Sequence, residues 1–259
     1  MIKRRSVLAA MTTFPLLALG AGAPMSVWAQ ETQNLDGDKI STSGGDVTIH
    51  PVEHASLLLG FGDQVIYVDP VGGAALYADL PAPTAILITH AHGDHFDVPT
   101  LEAIAGSTPI LTSREVFDKL PEALKANAKA VANGETGALN GISIKAISAY
   151  NTTEDRLQFH PKGVGNGYLL SFGDKTIYVA GDTEPTPDML ALTGIEVAFL
   201  PMNLPYTMTV EQAAEAVNTF KPKIVYPYHY GESDLNAFAA AVDKATEVRL
   251  RNWYAHAKS

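Results

Sequence analysis

The chain is 259 residues long, with 18 Lys and Arg against 28 Asp and Glu, a formal charge of −10, and no Cys. Hydrophobic residues make up 46% and charged residues 18%, which excludes a disordered chain, a collagen and a disulfide-stapled scaffold and fits one large folded domain. The acidic balance argues against nucleic acid as a partner, because phosphates are held by Lys and Arg. Without Cys, any metal site must use His, Asp or Glu.

Lys3, Arg4 and Arg5 precede an apolar stretch from Val7 to Trp28 that closes on Val27-Trp28-Ala29. A charged start, a hydrophobic middle and a small-x-small end make an export signal. Arg4-Arg5 ahead of Ser6-Val7-Leu8 is similar to the twin-arginine type, an address read by a receptor. Thr12, Thr13, Pro15, Gly20, Gly22 and Pro24 dilute the stretch as a membrane anchor, so residues 1–29 are read as a cleaved leader that meets the membrane only in transit. The mature protein would be periplasmic or otherwise exported. Losing three basic and no acidic residues, it would carry a formal charge of −13.

Residues 30–46 are polar and aperiodic and read as a flexible lead-in, with the fold beginning near Val47. Short runs rich in Val, Ile, Leu and Tyr predict strands at Ala55–Phe61, Gln64–Val68, Ala85–Thr89, Ile142–Ala149, Gly167–Phe172, Thr176–Ala180, Val197–Pro201 and Ile224–Tyr228. Helices are expected after Asp97, as an N-cap before Val98-Pro99-Thr100, and over Val210 to about Phe220, where Thr209 and Gln212 fit a capping box. Another is expected from about Leu235 to Ala245.

One segment recurs. Leu58–Val68 reads LLGFGDQVIYV and Leu169–Val179 reads LLSFGDKTIYV, identical at eight of eleven positions. Each copy reads as a hairpin turned by Gly-Asp, and the matches outside the turn point to two equivalent halves. Two sheets packed face to face with helices outside give an α/β architecture, the four-layer αββα sandwich.

The chemistry concentrates after Ala85–Thr89, in His90-Ala91-His92-Gly93-Asp94-His95. Residues two apart at a strand end point the same way, so His90 and His92 can grip one ion. Gly93 is expected to supply the freedom for a turn that returns Asp94 and His95 to the same place. Four potential ligands in six residues favour a metal site over unpaired buried polar groups. His160, Asp182 and His229 stand at further loop junctions; taken singly, Asp182 also suits a helix cap and either His a surface position.

This order, H-x-H-x-D-H after an apolar strand, then a lone His, then Gly181-Asp182-Thr183, then a His closing a strand, resembles the metallo-β-lactamase-fold hydrolases from Val47 to Tyr230, including an early Asp69-Pro70. His54-Ala55-Ser56, Tyr150-Asn151, the Pro-x-His ending at His229 and Thr207-Met208 are similar to the branch holding ascorbate-6-phosphate lactonase and N-acyl-phosphatidylethanolamine phospholipase D. The resemblance implies a hydrolase domain over residues 47–259. It assigns His90, His92 and His160 to one metal, Asp94, His95 and His229 to a second, and Asp182 to a bridge between them. All seven suit two divalent ions, zinc first, with manganese or iron as alternatives.

A missing Cys in the second site departs from the commonest zinc β-lactamases, and His92 stands where flavin-linked diiron relatives carry an acid. The expectation is therefore an exported dinuclear hydrolase of a small ester, lactone or phosphodiester. Two ions would lower the pKa of a water between them and make hydroxide available at neutral pH, with Asp94 as the catalytic residue that orients it. Two alternatives are an iron-dependent oxidoreductase on the same fold and a non-catalytic metal-binding protein. Asn151 and Tyr206 read as turn or packing residues, and His54 as a structural neighbour of the site.

Overall fold

A computed structural model describes residues 35–256; the leader expected over residues 1–29 lies outside them. The first half of the chain forms a seven-stranded sheet. In it β1 (Asp38–Thr42), β2 (Gly45–Glu53), β3 (Ser56–Phe61) and β4 (Gln64–Val68) alternate in direction, and β5 (Ala85–Ile88), β6 (Ile110–Thr112) and β7 (Ala128–Ala130) follow parallel to β4. The second half repeats the plan. Here β8 (Thr136–Leu139), β9 (Ile142–Ala149), β10 (Gly165–Phe172) and β11 (Lys175–Val179) are antiparallel, and β12 (Val197–Pro201), β13 (Ile224–Tyr228) and β14 (Glu247–Val248) continue parallel. The recurring segment is β3–β4 in one half and β10–β11 in the other. Each hairpin turns on two residues, with Gly62 at φ 59° and Gly173 at φ 58°, where a side chain would be strained.

Side-chain alternation sorts the apolar residues into three layers. Leu57, Leu59, Ile66, Val68 and Leu87 of the first sheet face Tyr168, Leu170, Ile177, Val179 and Phe199 of the second, forming the central core. On the outer face of the first sheet, Leu58, Tyr67 and Ile86 pack beneath α1 (Val98–Ile104), α2 (Arg114–Lys119) and α3 (Glu122–Lys125) through Leu101, Val116 and Leu124. Opposite, Tyr178, Ala198 and Leu200 pack beneath α4 (Pro187–Leu190), α5 (Val210–Phe220) and α6 (Leu235–Ala241) through Met189, Val217 and Phe238. The architecture is the αββα sandwich. Strands such as Ala85–Ile88, buried at every residue, read as unbroken apolar runs because both faces are covered.

Three expectations change. The lead-in does not extend to residue 46: Asp38–Thr42 is an edge strand paired with β2, and its only buried side chain is Ile40, too little to show a period in the sequence. The helix after Asp97 begins where expected, but the Asp97 carboxylate accepts from the Thr100 hydroxyl and not from a backbone N–H. The last helix stops at Ala241, where Val242 turns extended and the Asp243 N–H donates to Asn218 at 2.7 Å. The capping box is present: Gln212 N–H donates to the Thr209 hydroxyl at 3.1 Å, and Thr209 N–H to the Gln212 side chain at 2.9 Å.

Candidate metal centre

The parallel strands of both halves end at one edge of the sandwich, and the polar residues that follow them meet there, as ligand sites do in α/β sheets. Beyond β5, Thr89 leads into His90, and the N–H groups of His95 and Phe96 both donate to the His92 carbonyl, at 3.0 and 2.8 Å. That turn folds His95 back under His90, their ring centroids 4.1 Å apart. Gly93 is not what permits it: its φ is not positive and a Cβ there would meet nothing within 4 Å, so the expected need for glycine does not hold. The loop after β9 supplies His160, the loop after β11 Asp182 and the end of β13 His229.

All seven side chains converge. His90, His92 and His160 offer ligand atoms within 4.8 Å of one another, as do Asp94, His95 and His229 together with His54. The His90 Nε2 faces the His92 Nδ1 at 3.1 Å. Asp182 lies between the groups: its Oδ2 is 3.3 Å from His160 Nε2 and 3.2 Å from His229 Nε2, and its Oδ1 is 3.3 Å from His95 Nε2. The His95 Nε2, His160 Nε2 and Asp182 Oδ1 atoms are buried without a hydrogen-bond partner. Orphaned buried acceptors aimed at a common point are costly unless something charged fills it. A neutral-imidazole and carboxylate set of this composition fits divalent cations.

Neighbouring groups fix how the ligands point. The Asp69 carboxylate, fully buried, accepts from His95 Nδ1–H at 2.8 Å and from the Thr89 N–H and hydroxyl at 2.7 and 2.6 Å. His160 Nδ1–H donates to the Tyr206 carbonyl at 3.1 Å. Both bonds leave Nε2 as the free lone pair. Burial holds His90 well below the usual imidazole range, in its neutral form. Burial works in the same direction on His229, but Asp182 outweighs it and lifts the ring to about 9. For Asp182 burial acts upward, and the His229 and His95 rings hold the carboxyl well below its usual range. Three of the five non-glycine residues at positive φ among the described residues are His54, Asp69 and His229; left-handed backbone of this kind gathers at functional sites.

The His160 loop is pinned by an acid absent from the expected set. Glu184, fully buried, accepts from the Thr152 and Thr153 N–H groups and the Thr153 hydroxyl, each at 2.6 Å, and pairs with Arg156 at 2.6 Å. Asn151 closes the loop, its N–H donating to the His160 carbonyl at 2.8 Å and its amide to the Tyr206 carbonyl at 2.7 Å. Asn151 is thus a turn residue, as read. Tyr206 contributes its carbonyl, while its ring stacks edge-on against Phe159 at 5.0 Å. His54 reaches the site, its Nε2 3.1 Å from Asp94 Oδ2. Glu184 stands two residues after Asp182, but nothing in the local pattern signals its partners.

Fold and ligand cluster together define a metallohydrolase scaffold, and comparison with known proteins agrees. The sequence profile of the beta-lactamase superfamily domain matches residues 48–229. A UPF0173 metal-dependent hydrolase of Pyrococcus abyssi is 32% identical over 206 residues, covering 73% of this chain and 90% of that protein. The crystal structure of a metal-dependent hydrolase from Parabacteroides distasonis is 41% identical, with a TM-score of 0.77 over 84% of this chain and 99% of that one. Igni18, a metallo hydrolase from Ignicoccus hospitalis, shares the fold at 23% identity and a TM-score of 0.67, covering 80% of this chain and 95% of its own. The chain belongs to the metallo-β-lactamase superfamily and, within it, to the metal-dependent hydrolases.

Proposed function

We propose that the mature protein is an exported dinuclear hydrolase acting on a small ester, lactone or phosphodiester. The observation that carries this reading is Asp182, whose two carboxylate oxygens reach imidazoles of both groups. His90, His92 and His160 would hold one ion, Asp94, His95 and His229 the other, and Asp182 both. The all-nitrogen-and-oxygen donor set suits zinc first, then manganese or iron. When bound, such a pair supplies Lewis acidity to the electrophile and lowers the pKa of water to about 7.

The chain's own groups complete the chemistry. Asp94 is the one carboxylate of the set that opens to solvent, its side chain 49% exposed, so it is placed to orient a water at the mouth. His54 Nε2 lies 3.1 Å from that carboxylate and holds it from behind. Asp69 and the Tyr206 carbonyl keep His95 and His160 aimed while substrate exchanges. The experiment is elemental analysis of the purified protein with a panel of generic ester, lactone and phosphodiester substrates. Two equivalents of a divalent metal with turnover are expected, and Asp182→Ala should lose activity and at least one equivalent together. Retention of both ions and normal turnover in that variant, or iron with redox turnover in the parent, overturns the reading.

A further inference from the structure

A cavity of about 240 Å³ opens directly over one half of the metal site, with His90, His92 and His160 as its floor. Phe159, Pro161 and Val164, all on the His160 loop, supply its apolar lining, and Glu115, Gln158 and Gly165 complete it. Among the described residues, none that lines it is Lys or Arg. The nearest loop lysine, Lys162, has its ammonium over the Tyr150 ring at 5.2 Å, and Glu115 is paired with Lys119 at 2.7 Å. Lys162 keeps its charge but lies over that ring and not on the lining, so the cavity itself presents no cation to a phosphate or carboxylate on the substrate.

The apolar wall continues outward. The Phe159 ring belongs both to the cavity and to the stack with Tyr206. Leu157, Leu204 and Tyr206 are 45, 52 and 46% exposed, three of the four large hydrophobic side chains left open among the described residues. All three lie on the two loops that meet at His160, and apolar surface gathered beside a polar site marks recognition.

Resting on the hydrolase reading above, we propose that this cavity is the subsite for an uncharged alkyl or aryl arm of the substrate, so that the preferred class is a neutral ester or lactone with an apolar substituent. A substrate bearing a second anionic group would leave that charge against Phe159 and Val164 without a partner, which is the costly arrangement for a desolvated ion. The net charge of −10 acts in the same sense, since an acidic surface lowers the local concentration of anions.

The test is calorimetric binding of straight-chain hydroxamic acids, from two to eight carbons, to zinc-reconstituted protein. Hydroxamic acids are uncharged in solution near pH 7, release their N–OH proton to buffer when they chelate the metal, and need no turnover. Affinity should rise with chain length, by up to about fourfold for each methylene buried. An eight-carbon hydroxamate ending in a carboxylate should bind at least about tenfold more weakly than its methyl-ended counterpart. In Phe159→Ala and Val164→Ala, the eight-carbon probe should lose its advantage over the two-carbon one, a ratio measured within each variant. No binding by the zinc protein, no dependence on chain length, or equal binding of the carboxylate-ended probe overturns the subsite. A chain-length effect without hydrolysis of any ester, lactone or phosphodiester would retain the subsite and remove the hydrolase reading; hydrolysis without such an effect does the reverse.

Discussion

The Nδ1 atom of His54 lies 3.0 Å from the hydroxyl of Tyr254, 200 residues further along the chain. The Asp94 carboxylate can only accept, so His54 Nε2 carries the proton and Nδ1 accepts from the Tyr254 hydroxyl, whose oxygen accepts from the Gly231 N–H at 2.8 Å. Tyr254 therefore supports the tautomer that Asp94 requires of His54. Tyr254→Phe should lower kcat about fivefold, the worth of one hydrogen bond of about 1 kcal/mol, with KM little changed. Steady-state kinetics alongside a thermal melt check this. A drop explained wholly by unfolding would count against it.

Glu184 offers a test through stability. Burial acts to raise its pKa, but hydrogen bonds from Thr153, with Thr152 and Arg156 behind them, hold it below the ordinary 4.5. A carboxyl depressed in the folded state stabilises fully above its unfolded value, and that contribution fades as pH falls through the folded value. Glu184→Gln should cost about 3 kcal/mol at pH 7, the lower end for loss of a buried charge partner, and the gap from the parent should narrow below about pH 4.5. Melting curves from pH 3 to 7 would show it; a gap constant across that range argues for packing alone.

Asp69 acts on the metal through His95. Asp69→Asn removes the anionic acceptor at Nδ1, and metal affinity should fall about 10- to 100-fold, the usual effect of losing such a partner. Competition with a chelator gives the number. Unchanged affinity would mean that the ring is aimed by packing alone.

The leader carries a prediction of its own. If Arg4-Arg5 is a twin-arginine address, replacing it with Lys-Lys should stop export and leave a folded, metallated precursor in the cytoplasm. The native ions would then be set where loading occurs, which matters because such sites bind zinc more tightly than manganese or iron(II). Fractionation with elemental analysis decides: normal export of the variant, or accumulation of metal-free precursor only, refutes it.

Legibility in the sequence follows length and covering. Strands such as Val197–Pro201 and Ile224–Tyr228, buried throughout, show as apolar runs with their boundaries intact. The two- to four-residue strands β6, β7, β8 and β14 and the short helices α2, α3 and α4 are too brief to display a period, and packing against longer neighbours forms them. At the site, four candidates in six residues announce themselves. Glu184 and Tyr254 act on partners 31 and 200 residues away, a distance at which no local pattern survives; Asp69 shows only through the Asp69-Pro70 resemblance.

The ligand order has a consequence for synthesis. The first half of the chain supplies His90, His92, Asp94 and His95, but His160, Asp182 and His229 come from the second, and the His54 carbonyl that accepts the His229 N–H at 3.0 Å is also a first-half group. A nascent chain still short of residue 229 on the ribosome holds neither the last imidazole nor the tie that places it. If the site takes two ions, as proposed, capture of the pair waits until residue 229 has been made and tied to the first half.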